Sequence, residues 1–208
     1  MFSGIVQGSY PITSLTEYKD HLHYAVSLPL KLSERIELGA SIAVDGVCQT
    51  VVAQKTQGDA CQVFFDAIEE TLQKTTLSSL HLGRKVHIER ALTYGAEIGG
   101  HLLSGHVFGK ALVKKVHAGK STRSLDISCN PHWLKYILPK GFIALDGASL
   151  TVNAVHSEGF TVHLIPETLR LTHFQNKAEG DFLNIEFDTM TQCIVDTVEH
   201  YLKQTLRN

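Results

Sequence analysis

The chain has 208 residues, of which 43% are apolar and 19% charged, and its net charge is −2 with histidine neutral. This composition supports a core and excludes a disordered chain, the slight negative balance offers nothing to nucleic acid or an anionic membrane surface, and no run approaches the roughly 20 apolar residues of a membrane span. The length suits one large domain or two of about 100 residues each.

In chain order, the opening MFSGIVQGSY lacks a basic leader and a long apolar stretch, and predicts no signal peptide. SERIEL at 33–38 reads as a brief helical piece, with Ser33 as N-cap and Glu37 near the first turn. SIAV, QTVVA, QVFFDA and KVHIERA then read as short strands bounded by Gly, Asp or Lys-rich turns. The Asp45-Gly46 pair in VDGVCQTVVAQ (44–54) is a two-residue hairpin signal. GAEIGG at 95–100 has the composition of a linker. NPHWLKYILP follows, with Asn130 as cap, Pro131 in the first helical position and Pro139 as stop. FIALDG, SLTVNAV, FTVHLI and FLNIEFD repeat the strand pattern, with Asp146-Gly147 as a second hairpin turn. Strands at this spacing predict a small all-β sandwich or closed barrel in each half.

From Thr191 onward, TQCIVDTVEHYLKQTLRN sets Ile194, Val195, Val198, Tyr201, Leu202 and Leu206 on one stripe at helical spacing. Either the chain's own barrel or copies of the same helix in an oligomer must cover that stripe; the second is the expectation. Cys48, Cys61, Cys129 and Cys193 form no CxxC pair, so the thiols are expected to be reduced and cytosolic. His21 and His23 form an HxH pair, and His101 and His106 lie close together in GHLLSGH. No Cys, Asp or Glu stands at a familiar ligand spacing beside them, and no metal site is expected.

The two halves are copies. SGIVQG at 3–8 matches SGHVFG at 104–109, and VDGVCQTVVAQ matches LDGASLTVNAV at 145–155, both 101 positions on. EETLQKTTL at 69–77 matches PETLRLTHF at 166–174, and GRKVHIE at 83–89 matches GDFLNIE at 180–186, both 97 positions on. Four landmarks in one order with a single length change define a duplicated module. The change falls where QKTQGDACQ gives way to HSEGF, in a loop that tolerates it. Taken singly, the recurring Thr50/Thr151, Glu70-Thr71/Glu167-Thr168 and Gly46/Gly147 are strand, turn and cap residues. As a set they are accounted for by a duplicated ligand pocket. The furnishing is unequal: Cys48 faces Ser149 across the alignment, Ile5 faces His106, and only LIPET has Pro166.

MFSGIVQG, the paired DGVCQTV and DGASLTV, GGHLLSGHV and LIPETLRLT resemble the riboflavin synthase family over essentially the whole chain. Ser3 departs from a usual threonine, and Val47 and Gln49 from frequent Cys and Leu. The resemblance implies two tandem six-stranded Greek-key β-barrels, residues 1–97 and 98–188, and a C-terminal oligomerisation helix, 189–208. It further implies a cytoplasmic homotrimer without cofactor, and association with lumazine synthase. The implied reaction passes a four-carbon unit between two molecules of 6,7-dimethyl-8-ribityllumazine, giving riboflavin and 5-amino-6-(D-ribitylamino)uracil. It needs proton loss from the C7 methyl of one lumazine and nucleophilic addition at C7 of the other.

By the same resemblance the first pocket takes Gly4, Ile5, Val6, Ser41, Cys48, Gln49 and Thr50, with the run Asp66, Ala67, Ile68, Glu69, Glu70 and Thr71. The second takes Gly105, His106, Val107, Lys140, Ser149, Leu150 and Thr151, with the run His163, Leu164, Ile165, Pro166, Glu167 and Thr168. Phe2, Ser41, Cys48, His106, Lys140 and Asp188 are the implied groups for chemistry. Non-catalytic antenna proteins of the same fold bind lumazine or flavin, but one of their halves tends to lose its motif, whereas both halves here keep DGxxxTV and ETL. A flavin-binding redox barrel is the other rival, and the chain lacks a nucleotide-binding glycine loop for it.

Overall fold

A computed structural model describes residues 1–206; Arg207 and Asn208, at the end of the expected helical tail, lie outside the described residues. Strands β1 (Gly8–Glu17), β2 (His21–Pro29), β3 (Ser41–Val44), β4 (Val47–Gln57), β5 (Ala60–Ile68) and β6 (Lys85–Arg90) close into a barrel in the order β1-β2-β5-β4-β3-β6. Strands β7 (Gly109–Ala118), β8 (Arg123–Ser128), β9 (Phe142–Leu145), β10 (Ala148–His156), β11 (Gly159–Leu164) and β12 (Phe182–Phe187) close a second ring with the equivalent order. In each, a three-strand meander (β3-β4-β5 or β9-β10-β11) has an earlier strand beside its last member, which is a Greek key. All pairings are antiparallel.

Closure requires the strands to bend, and the bends recur. β1 and β7 shift register at Ile12/Ser14 and Val113/Lys115, and β4 and β10 at Val51/Ala53 and Val152/Ala154. An extra residue at each bulge increases local twist and turns the strand around the barrel. Alternate residues then point inward. Tyr24, Val26, Val63, Phe65 and Ile88 fill the first interior, and Val113, Leu125, Phe160, Val162 and Ile185 the second.

The local expectations fared unequally. Asn130 caps as expected, its side chain accepting from the His132 N–H at 3.0 Å, and a 3-10 helix runs from Pro131 to Tyr136. SERIEL is not a helix: α1 is Leu30–Ser33, so Ser33 ends a helix instead of beginning one. Its hydroxyl donates back to the Leu30 carbonyl at 3.0 Å, and Arg35, at φ 56°, turns the chain out of helical geometry. α2 (Glu69–Lys74) and α3 (Pro166–Leu171) are the ETL segments. α4 (Thr189–Thr205) is the expected C-terminal helix, capped by Asp188, which accepts from the Thr191 N–H at 2.9 Å.

The barrels meet back to back through their Asp-Gly turns. Asp45 and Gly46 have φ of 45° and 78°, Asp146 and Gly147 of 42° and 80°, the conformation of a type I′ hairpin turn. A Cβ on Gly46 would lie 2.5 Å from the Gly147 nitrogen, so only glycine lets the turns touch. Around them three hydrogen bonds occur twice. Asp45 Oδ1 accepts from the His87 N–H, and Asp146 Oδ1 from the Asn184 N–H, both at 2.7 Å. His87 Nδ1 donates across the seam to the Asp146 carbonyl at 2.9 Å; Asn184 Nδ2 donates to the Asp45 carbonyl at 2.8 Å. His87 Nε2 accepts from the His173 N–H at 2.9 Å, and Asn184 Oδ1 from the Thr76 N–H at 2.7 Å.

Both carboxylates are fully buried and each has its own cation, Arg84 at 3.0 Å from Asp45 and Lys177 at 3.0 Å from Asp146. Burial and the neighbouring Asp146 raise the Asp45 carboxyl above its ordinary range. Burial acts the same way on Asp146, but Lys177 and His173 outweigh it and hold that carboxyl low. Asp45, His87 and His173 also come within 4.8 Å of one another. Both oxygens of Asp45 and both nitrogens of His87 are already engaged in hydrogen bonds, so this cluster is a seam.

Candidate functional site

The site is built from two short segments that change partners. Each begins on its own barrel. Glu89 on β6 accepts from the Ser3 N–H at 2.6 Å, the Ser3 hydroxyl at 2.8 Å and the Gly4 N–H at 3.1 Å. Glu186 on β12 accepts from the Ser104 N–H and hydroxyl, each at 2.7 Å, and from the Gly105 N–H at 3.1 Å. Gly4 and Gly105, at φ 75° and 80°, then turn each segment toward the other barrel. The Gly4 carbonyl accepts from the Ser149 N–H at 2.8 Å and the Gly105 carbonyl from the Cys48 N–H at 2.9 Å. A Cβ on either glycine would lie 2.6 Å from the Cβ of Ser149 or Cys48. Val6 completes the second core and Val107 packs on the first.

The expected grouping is therefore crossed. Gly4, Ile5 and Val6 stand with Ser149 at the second barrel, and Gly105, His106 and Val107 with Cys48 at the first. Sequence order puts each segment just before its own barrel, but the left-handed glycine sends it to the neighbour. Phe2 lies where the two segments pair. Its N–H donates to the Leu103 carbonyl at 2.8 Å, and its ring is buried with Ala43, Leu103 and Ala144, with Cys48 of the first cleft packed against this cluster.

At the first barrel a cleft of about 270 Å³ is lined by Val47, Cys48, Glu70, Thr71, Gly105 and His106, among others. α2 follows directly from β5, which places Glu70 and Thr71 at the mouth; Lys74 donates to Glu70 at 2.6 Å and holds its carboxyl low. The exposed His106 side chain stands over this cleft, and the His106 backbone N–H donates to the Ser104 hydroxyl at 3.0 Å. Asp66, Ile68 and Glu69 are exposed at the end of β5, and Asp66 pairs with His23 at 2.6 Å. Ser41 and Thr50 face each other across the β3–β4 pairing. Ala67 is in the core, and Gln49 is buried, accepting from the Tyr24 hydroxyl at 3.2 Å and donating to the Cys48 carbonyl at 3.0 Å.

At the second barrel Ser149 is half-buried and its Oγ lies 2.6 Å from His101 Nδ1. His101 is buried, which lowers its pKa; its Nε2 has no hydrogen-bond partner and its ring stacks on Phe142. Ile5, Lys140, Thr151, His163, Ile165, Pro166 and Glu167 are exposed around this end, with Thr168 half-buried. Glu167 pairs with Arg170 at 2.6 Å. Leu150 and Leu164 belong to the core. Asp188 is engaged by the Thr191 N–H and hydroxyl; burial opposes ionisation, but these bonds outweigh it and hold the carboxyl low. Sequence reasoning missed His101 as a partner of Ser149, and Glu89 and Glu186 as anchors. The shared Ile-Glu ending of GRKVHIE and GDFLNIE was the available signal for the anchors.

Two closed barrels of one topology, each contacted by a glycine segment from the other and one with a cleft at that contact, define a duplicated small-ligand-binding protein. The model of the lumazine binding domain matches the chain twice, at residues 3–91 and 104–188. The chain is 44% identical to riboflavin synthase of Escherichia coli over 203 residues, 97% of this chain and 93% of that protein. It is 42% identical to riboflavin synthase of Chlamydia pneumoniae, covering 97% of each. Among solved structures it is similar to LumP complexed with riboflavin, with a TM-score of 0.81 and 26% identity over 90% of this chain and 99% of that one. The chain belongs to the riboflavin synthase family.

Proposed function

We propose that the chain is a transferase that dismutates two molecules of 6,7-dimethyl-8-ribityllumazine, moving a four-carbon unit from one to the other to give riboflavin and 5-amino-6-(D-ribitylamino)uracil. The observation that carries this reading is the duplicated, crosswise contact between each glycine segment and the other barrel, with unequal side chains at its two ends. Cys48 and His106 stand at the first-barrel cleft, and Ser149 and His101 at the equivalent place on the second barrel. Two sites of one shape hold two identical molecules, and their different side chains let one act as donor and the other as acceptor. Oriented reactants reach effective molarities of about 10⁵–10⁸ M, so holding two heterocycles face to face supplies much of the rate. Proton movement at the C7 methyl falls to imidazole, which can accept and return a proton within reach of the bound ring; His106 is that group at the first cleft. Ser41, Cys48, Lys140 and Asp188 remain in the reading as polar groups around the two ends of the site.

The units 1–97, 98–188 and 189–208 and the homotrimer belong to the same proposal. α4 supports the trimer: Val195 packs on the second barrel and Tyr136 donates to Asp196 at 2.5 Å, while Ile194, Val198, Tyr201 and Leu202 are all at least half exposed. In this reading the trimer sets the ligand site of one subunit against that of the next. A cytoplasmic setting and association with lumazine synthase complete the reading; among the described residues no helix is long and apolar enough to cross a membrane.

Purified protein mixed with 6,7-dimethyl-8-ribityllumazine should produce riboflavin, followed by its visible absorption. Tight binding without turnover would favour the antenna reading, to which the likeness to LumP also points. His106→Ala should lower turnover by about 10²-fold or more with little loss of lumazine binding. Unchanged turnover in that variant would remove His106 from the proton transfer.

A further inference from the structure

We propose that Glu89 and Glu186 are crossed positioning residues, each a carboxylate of one barrel that sets the geometry of the other barrel's lumazine cleft. The inference rests on the reading of both clefts as lumazine pockets and adds how each is held in shape. Each glutamate is 5% exposed and sits on the last strand of its barrel, opposite Ala43 or Ala144 of the neighbouring strand. Each gathers three donors from two consecutive residues, a serine N–H, its hydroxyl and a glycine N–H. Ionised carboxylate is the side chain that can accept all three, because both its oxygens are acceptors only. A carboxamide of the same shape presents N–H groups to one of those donors.

What the clamps set in place lies at the other barrel. Glu186 fixes Ser104 and Gly105, and Gly105 delivers its carbonyl to the Cys48 N–H and its successor His106 to the first cleft. Ser104 carries the restraint further, because its hydroxyl, held by Glu186, accepts from the His106 N–H. Glu89 fixes Ser3 and Gly4, and Gly4 delivers its carbonyl to the Ser149 N–H on the second barrel. With φ near +75° to +80° and their Cα atoms pressed on Cys48 and Ser149, the glycines transmit a displacement of the clamp to the cleft. The coupling is symmetric in layout and unequal in detail: the Glu186 clamp ends on the exposed His106, whereas the Glu89 clamp reaches the buried His101, whose N–H donates to the Ser3 carbonyl at 3.1 Å.

The test is the accessibility of a thiol in each cleft of the full chain. Cys48 is native to the first, and Ser149→Cys places a thiol at the equivalent point of the second. Iodoacetamide alkylation is followed residue by residue by mass spectrometry. Glu186→Gln should speed alkylation at Cys48 roughly tenfold, the loss of one charge-assisted hydrogen bond, and leave the position-149 thiol within about twofold. Glu89→Gln should do the reverse. Loosening of the same barrel's cleft, of both clefts equally, or of neither would overturn the proposal. Buried Cys61 reports global loosening: should it become reactive in a Gln variant, Ser104→Ala, which removes one donor, must still show the crossed pattern, and its failure to do so also counts against the clamp. Added 6,7-dimethyl-8-ribityllumazine should protect Cys48 in the unmodified chain. Lack of protection with a crossed pattern would reject the lumazine reading and keep the clamps.

Discussion

Replacing His87 tests the duplicated seam. The ring is 1% exposed and makes two bonds, to the Asp146 carbonyl at 2.9 Å and from the His173 N–H at 2.9 Å. Its counterpart Asn184 makes the same pair with an amide. His87→Asn therefore keeps one donor and one acceptor in the places the seam requires, and loses chiefly the stacking of the ring on His173, whose centroid is 3.8 Å away. His87→Leu fills the space but strands a buried carbonyl and a buried N–H, each costing about 1–3 kcal/mol, or about 2–6 kcal/mol together. Against a total stability of about 5–15 kcal/mol that is a large fraction. For a chain of this size each kcal/mol moves the melting temperature by about 2–4 °C. The leucine variant should melt about 4–24 °C below the unmodified chain and the asparagine variant within about 5 °C of it, by circular dichroism. A leucine variant as stable as the asparagine one would refute the reasoning, because packing and not hydrogen-bond satisfaction would then dominate the seam.

Burial, reinforced by His173, holds the His87 pKa well below the ordinary 6.5, while Asp146 opposes the shift and Lys177 adds to it. Between the folded value and 6.5 the unfolded chain binds a proton the folded chain refuses, so this stability is present above pH 6.5 and lost as pH falls. Urea midpoints compared at about pH 7.5 and about pH 5.5 should drop less in His87→Asn than in the unmodified chain; equal drops would exclude His87 as the source. Gly147→Ala places a Cβ 2.8 Å from the Gly46 backbone at φ 80° and should destabilise by more than about 2 kcal/mol in the same titration. Val198→Asp, on the exposed face of α4, should leave the melting curve within about 0.5 kcal/mol of the unmodified chain and lower the mass seen by sedimentation. An unchanged mass would show that this face is not the contact between copies.

The legible parts of the fold were those written in local chemistry. Asp-Gly at 45–46 and 146–147 demands a tight turn, and the flanking alternation of β3–β4 and β9–β10 follows from the period of a strand. β1 and β2 were not read from their pattern. β1 carries Pro11 at its pairing with Lys85, and β2 buries Tyr24, Ala25 and Val26 in succession where its backbone curves around the barrel. Their equivalents β7 and β8 were missed with them, and the six-stranded count came from the family resemblance. Ser33 misled because a hydroxyl bonds back to a carbonyl at a helix end as readily as it caps a start.

By itself the sequence determined the duplication, the two hairpin turns, the terminal helix and the set of residues that recur in both halves. Turn geometry, strand period and capping act over a few residues, and a repeat needs no structure to be seen. Only the tertiary structure decided which cleft each segment serves. It also made the turn aspartates, Asp45 and Asp146, buried pillars of the seam, and set His101 beside Ser149. These depend on where a chain goes after a glycine with positive φ and on what meets it there. That is a property of two packed barrels and not of any stretch of the chain.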